Sequence, residues 1–191
     1  MSGFNFTFKQ KLLIKRVLFI ILATFWAFFA VLFFYRSFLR AFVYPEQYKE
    51  TVLKHSEEFS LDKNLVFAVI KVESSFNINA KSGKGAKGLM QITDSTANYI
   101  AQKLGVNTFD LFNEDDNVRF GCYYIRYLID RFENVQTSIC AYNAGEGRVR
   151  EWLGNSEYSE DGKTLIVIPY EETREYTQKI LKTFSKYEKL Y

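Results

Sequence analysis

Leu65-Val66-Phe67-Ala68-Val69-Ile70 is a run of six apolar residues, and three positions beyond it Glu73 stands within Val72-Glu73-Ser74-Ser75-Phe76. A run with no polar break has no face to show to water, so it reads as a segment buried inside a folded domain. Asp62 ahead of it is suited to cap a helix running to about Ser74. Glu73 therefore ends a buried helix. Apolar surroundings penalise the charged form of a carboxyl group and raise its pKa, which suits a glutamic acid to donate a proton near neutral pH. Two glycine-bounded polar turns follow, Gly88-Leu89-Met90-Gln91 and Ala141-Tyr142-Asn143-Ala144-Gly145. A chain that walls a cleft around one carboxyl group needs turns of this kind.

The segments around this run also read as helices. Tyr48, Val52, Ser56 and Phe59 form one stripe over Pro45 to Phe59, with the proline placed for a first turn. Asn77 to Gly88 holds three glycines among polar residues and reads as loop, with room for a short strand or hairpin near Gly88-Leu89. Thr93 or Asp94 caps a helix through Leu104, and Gly105 stops it. Asn113 precedes Glu114-Asp115-Asp116, acids that favour a helix N-terminus, and Val118, Cys122, Ile125, Ile129 and Phe132 follow at helical spacing. Val135 to Tyr142 and Gly147 to Leu153 are shorter helices, and Glu171 to Tyr187 is the last. Leu165 to Ile168 is the one β-like run and is too short for a sheet. The class is mainly α.

Toward the N-terminus, Val17 to Tyr35 is VLFIILATFWAFFAVLFFY, 19 residues without a charge. As a helix it measures about 28 Å, close to the hydrocarbon thickness of a bilayer. It is longer than the apolar part of a signal peptide and ends in Phe33-Phe34-Tyr35-Arg36 with no small-residue cleavage site, so an uncleaved anchor is expected. Lys9, Lys11, Lys15 and Arg16 precede it, against Arg36 and Arg40 after it. The excess of positive charge on the N-terminal side predicts residues 1–16 in the cytoplasm and a single pass. Residues 36–44 then serve as a linker and residues 45–191 as one domain on the outer side of the membrane.

The chain holds 25 basic and 22 acidic residues, but six of the basic ones and none of the acidic ones lie in positions 1–40. The outer domain is left with 19 against 22 and is slightly acidic. The basic character belongs to the membrane flanks, which argues against nucleic-acid binding. Cys122 and Cys140 lie outside the membrane segment, where a disulfide is chemically permitted, although two small buried side chains on helices account for them more simply. His55 is the single histidine and no Cys-x-x-Cys occurs, so no metal site and no cofactor is expected.

Four motifs in order, Glu73 to Phe76, Gly88 to Gln91, Ala141 to Gly145 and Ile168 to Tyr176, resemble the lytic transglycosylases of the soluble-lytic type, relatives of goose-type lysozyme. The resemblance covers roughly residues 45 to 187. It implies a lysozyme-like fold and action on peptidoglycan glycan strands. In that family the glutamate protonates the oxygen linking MurNAc to GlcNAc and then acts as a base, while the C6 hydroxyl of MurNAc attacks its own C1 to give a 1,6-anhydro sugar. Glycoside hydrolysis usually needs two carboxylates, and the core motifs supply one, which fits an attack by the substrate itself. Carried over, Glu73 is the catalytic residue. Tyr142 lies near its carboxyl, and Gln91 and Asn143 face N-acetyl groups. Ser82 and Glu172 match further cleft positions. Thr93 stands where members often carry a methionine and is expected to make the cleft wall more polar. Phe76, Met90 and Trp152 read as core residues rather than sugar platforms. Two other functions use the same residues: a hydrolytic muramidase in which water attacks, and a wall-binding module without turnover. Retention of Glu73 speaks against the second, since binding does not need the acid.

Overall fold

The computed structural model describes residues 7–191 and divides the chain into two compact units, one ending at Pro45 and one running from Glu46 to Tyr191. Part of the expected cytoplasmic segment, residues 1–16, lies outside the described residues.

In the first unit α1 spans Phe8–Phe38. Thr7 caps it: its side chain accepts from the Gln10 backbone N–H, while the Gln10 side chain accepts from the Thr7 N–H at 2.8 Å. No residue of α1 is buried. From Val17 to Tyr35 its sequence is apolar on every side, so no rotation of that stretch can bury one face and wet another, and an 18-residue window reaches a mean hydropathy of 2.7. Thr24 donates to the Ile21 carbonyl at 2.9 Å, which satisfies its hydroxyl within the helix. The helix continues past residue 36. It runs on to Phe38 and through a π turn, Leu39–Val43. Residues 36–43 hold no glycine or proline to interrupt it. Pro45 disfavours helix in the residue before it, and Tyr44 leaves the helical path at φ −129° and ψ 61°.

The second unit is built from α2 (Lys49–Glu58), α3 (Lys63–Ser74), α4 (Asp94–Leu104), α5 (Glu114–Phe132), α6 (Val135–Ala144), α7 (Glu146–Leu153) and α8 (Glu171–Leu190). The expected caps are in place. Asp62 accepts from Asn64 N–H, Thr93 from Thr96 N–H, and Asn113 from Asp115 and Asp116 N–H. Gly105 ends α4 at φ 66°, a left-handed conformation that glycine adopts without a side-chain clash. Helix α2 begins later than Pro45, because Tyr48 is left-handed at φ 56° and interrupts the helical path ahead of Lys49.

Leu65 to Ile70 are all buried, as a run apolar on every side requires. Around them α3 packs on α2 and α8, while α5 packs on α2, α4 and α6, and α6 on α7 and α8. Phe67 stacks on Tyr187 of α8 with ring centroids 5.5 Å apart. A second cluster joins Leu128, Phe132, Cys140, Val149, Trp152 and Leu165. Cys122 and Cys140 are free and buried, so the pair behaves as small core side chains, and the Cys140 thiol lies 3.3 Å from the Thr177 hydroxyl. His55 is buried between the carboxylates of Glu58 (2.7 Å) and Asp115 (2.9 Å), a link from α2 to α5.

β structure among the described residues is limited to two isolated antiparallel bridges, Lys81 with Lys87 and Lys87 with Ile92. They fold the loop after α3 into a compact lobe. Leu165 to Ile168 does not join a sheet. Its end residues are buried and its middle two exposed, an extended segment laid over the core.

Candidate active site

The site starts at the end of α3. Ser75 and Phe76 are both left-handed, at φ 51° and 66°. For residues with a Cβ this costs roughly 1–2 kcal/mol each. The buried Phe76 ring, 6.5 Å from that of Phe67, anchors the distortion in the core. The chain therefore turns away immediately beyond Glu73 and leaves its carboxyl at the lip of a buried helix.

The Gly88–Gln91 turn forms a second wall, and it is held from α5. Asn117 is fully buried. Its Oδ1 accepts from Met90 N–H at 2.8 Å, and its Nδ2 donates to the carbonyls of Lys87 and Leu111, each at 2.9 Å. Gly88, at φ 75°, has no room for a side chain: a Cβ there would sit 2.2 Å from both Asn117 Nδ2 and the Leu111 carbonyl oxygen. Gly121 of α5 leaves space for the buried Met90 side chain in the same way. Helix α6 closes the group, where the Tyr142 hydroxyl donates to the Met90 carbonyl at 2.7 Å.

Glu73 is half-buried among these elements. Burial pushes its pKa up from 4.5 to about 7, against the opposing effects of a hydrogen bond from Tyr176 and the positive charge of Lys179. The Tyr176 hydroxyl, from α8, donates to Glu73 Oε1 at 2.5 Å. Tyr142 and Tyr176 are themselves pushed well above the ordinary tyrosine range, first by burial and then by the charge of Glu73, so both remain protonated donors. A carboxyl poised near neutral pH with a fixed phenol beside it can give up a proton and take one back.

Gln91, left-handed at φ 50°, spends both amide hydrogens on the carbonyls of Ala80 (3.2 Å) and Gly88 (2.9 Å). It braces the loop and has its side-chain oxygen left for a ligand. Asn143 is exposed, and its Oδ1 accepts from the Thr173 hydroxyl at 2.8 Å, which orients its amide N–H groups outward. Ser82 Oγ accepts from Ala86 N–H at 3.0 Å within the lobe. Glu172 is exposed and pairs with Lys84 of the same lobe at 3.4 Å. The Thr93 hydroxyl is taken up in capping α4, 2.9 Å from Thr96 Oγ1. Phe76, Met90 and Trp152 are buried, as core residues.

Tyr176 is the main residue absent from the sequence candidates, although it closes the fourth motif. Asn117 lacked any local signal, because its role depends on a loop 27 residues away. Among the described residues no group of three or more His, Cys, Asp or Glu side chains could hold a metal ion.

Comparison with known proteins places this geometry in context. The profile described as the transglycosylase SLT domain matches residues 50–165. The soluble lytic murein transglycosylase of Escherichia coli (strain K12) is 33% identical over 144 residues, which is 72% of this chain and 22% of that protein. The membrane-bound lytic murein transglycosylase F of Desulfosudis oleivorans is 31% identical over 112 residues, 55% of this chain and 23% of that protein. Among solved structures, an inactive Glu-to-Gln mutant of the lytic transglycosylase Slt from Pseudomonas aeruginosa superposes with a TM-score of 0.68 at 31% identity, covering 76% of this chain and 24% of that one. The chain thus spans under a quarter of the length of these relatives.

Proposed function

This chain belongs to the transglycosylase SLT domain family, and from that premise we propose that it is a membrane-anchored lytic transglycosylase that cuts the MurNAc–GlcNAc β-1,4 bond of peptidoglycan. The observation that carries the reading is Glu73: a carboxyl raised to about 7 by burial, hydrogen-bonded to one phenol, with no carboxylate among the groups that shift it. In the first step protonated Glu73 gives its proton to the glycosidic oxygen as the bond from that oxygen to C1 of MurNAc breaks. In the second the C6 hydroxyl of the same sugar attacks C1, and its proton passes to the Glu73 carboxylate. The products are a 1,6-anhydro end and a free GlcNAc hydroxyl, and Glu73 is protonated again. Proximity makes this intramolecular attack favourable without an activated water. The Tyr176 hydroxyl donates to the carboxylate between the two steps, while Tyr142 and the outward amide of Asn143 contact the sugar.

Helix α1 serves as a single-pass anchor with the second unit on the outer side. Its apolar surface, the basic residues before Val17 and the membrane-bound relatives support this reading. Mass spectrometry of sacculi digested by the protein tests the chemistry: anhydro ends are expected, and reducing ends would make the enzyme a hydrolase. N-terminal sequencing of membrane-extracted protein tests the anchor, which a mature chain starting near residue 36 would refute.

A further inference from the structure

The start of α8 supplies two hydroxyl donors three residues apart, a spacing that puts them on one face of the helix. Tyr176 donates to Glu73 of α3, and Thr173 donates to Asn143 Oδ1 of α6 at 2.8 Å. Thr173 is buried, at 2% exposure, while Asn143 is exposed. The bond therefore joins a side chain fixed in the core to one that faces solvent.

This bond decides what Asn143 shows to a ligand. A carboxamide turned over about its last torsion exchanges its oxygen for its NH2 group with little change of shape. With the oxygen inward, the Thr173 hydroxyl hydrogen has an acceptor. With the NH2 group inward, that hydroxyl would accept, and its own hydrogen would need another partner. Thr173 is the third residue of α8, so no residue of that helix lies a full turn behind it to take the hydrogen. Among the described residues Asn143 Oδ1 is its one acceptor. A buried donor left without an acceptor disfavours the turned-over form on the order of tenfold. Both Nδ2 hydrogens of Asn143 thus point outward.

We infer that Thr173 is a specificity-determining residue: by holding the Asn143 amide with its N–H groups outward, it makes this position select sugars that carry an N-acetyl carbonyl over sugars that carry a free ammonium. The assignment rests on the glycan reading of the preceding subsection. An acetamido oxygen accepts from Nδ2, whereas an ammonium has only donors and meets donors. Thr173 acts through Asn143 and is a positioning residue. Without its hydroxyl the amide is free to turn and offer Oδ1 to the ammonium, so discrimination falls.

The test uses the full chain in detergent micelles with a GlcNAc–MurNAc octasaccharide and the same octasaccharide stripped of its N-acetyl groups. The quantity read is the ratio of the two kcat/KM values. The wild type should favour the acetylated form. Thr173→Val, nearly the same shape without the hydroxyl, should lower the ratio on the order of tenfold, and Thr173→Ser, which keeps the hydroxyl, should hold it. Thr173→Ala replaces the valine variant if that one folds poorly. Any effect of the ammonium on the reaction itself is common to all forms and cancels between ratios. A merely structural Thr173 would lower both values by one factor and leave the ratio alone. An unchanged ratio in the valine and alanine variants, a serine variant that behaves like them, or a wild type without preference would overturn the inference and leave the transglycosylase reading intact. Cleavage of neither saccharide by the wild type would instead sink that reading. The same ratio is then taken from dissociation constants for the Glu73→Gln protein with and without each Thr173 substitution. A fall with valine and recovery with serine support the inference, and equal ratios or binding of neither saccharide refute it.

Discussion

Replacing Glu73 with glutamine should remove activity and also stabilise the fold, and the second effect follows from the same burial that makes the first possible. Burial holds the Glu73 carboxyl at a pKa of about 7 against an ordinary 4.5. The folded protein therefore keeps a proton that the unfolded chain has released. Below pH 4.5 both states are protonated and Glu73 costs nothing. Between 4.5 and 7 the native state binds more protons than the unfolded state, so stability falls as pH rises, and above 7 the full cost is present. A shift of this size corresponds to about 3 kcal/mol. Glu73 is partly open to solvent, so about 1–3 kcal/mol is expected. Glutamine has the same shape and can still accept from Tyr176, but it carries no charge to desolvate. Urea unfolding of residues 46–191 from pH 4 to 8 should show the Glu73→Gln protein gaining that margin over the wild type between pH 4.5 and 7, then holding it. Turnover of sacculi should fall by at least the ~10²–10⁴-fold typical of a general acid–base group. Unfolding curves that stay parallel across this range would refute the buried-acid account. More than about a tenth of wild-type activity in the variant, well above the residue expected after losing a general acid, would move the chemistry elsewhere.

The wild-type rate of bond cleavage should drop as pH rises through about 7, where Glu73 loses the proton it must donate. Tyr176→Phe removes a bond that favours the Glu73 carboxylate, so the descending limb should move to higher pH; an unmoved limb would detach Tyr176 from the acid. Asn117→Ala leaves Met90 N–H and two carbonyls without their partner and should cost roughly 3–5 kcal/mol, each buried unpaired group being worth about 1–3, read by denaturant midpoint. Gly88→Ala should destabilise by at least about 2 kcal/mol, since its Cβ meets backbone at a left-handed position; a neutral effect in a melting experiment would mean that the turn is looser than described. Activity should survive EDTA, and loss restored by one divalent ion would overturn the metal-free reading.

Much of the fold was legible from local chemistry. Asp62, Thr93 and Asn113 cap the helices that their positions announced, because a cap needs only its own side chain and the next few N–H groups. The later start of α2 follows from Tyr48, whose left-handed conformation no stop residue marks. Gln91 and Thr93 were expected at the cleft for their polar groups. The Gln91 amide hydrogens go to nearby carbonyls and the Thr93 hydroxyl caps α4, and no motif distinguishes a polar atom offered to a ligand from one already bonded.

The sequence by itself determined that one chain carries a long uncharged apolar helical stretch and a helical domain, and that one glutamate ends a buried segment. These follow from periodicity, capping and burial of contiguous residues. Tertiary structure alone decided which groups surround that glutamate. Tyr176 reaches Glu73 across 103 positions, Asn117 pins a turn 27 positions away, and Thr173 meets Asn143 across 30. The physical reason is range. Helix signals act over a few residues, whereas desolvation and hydrogen bonding at a site depend on which surfaces the packed helices bring together.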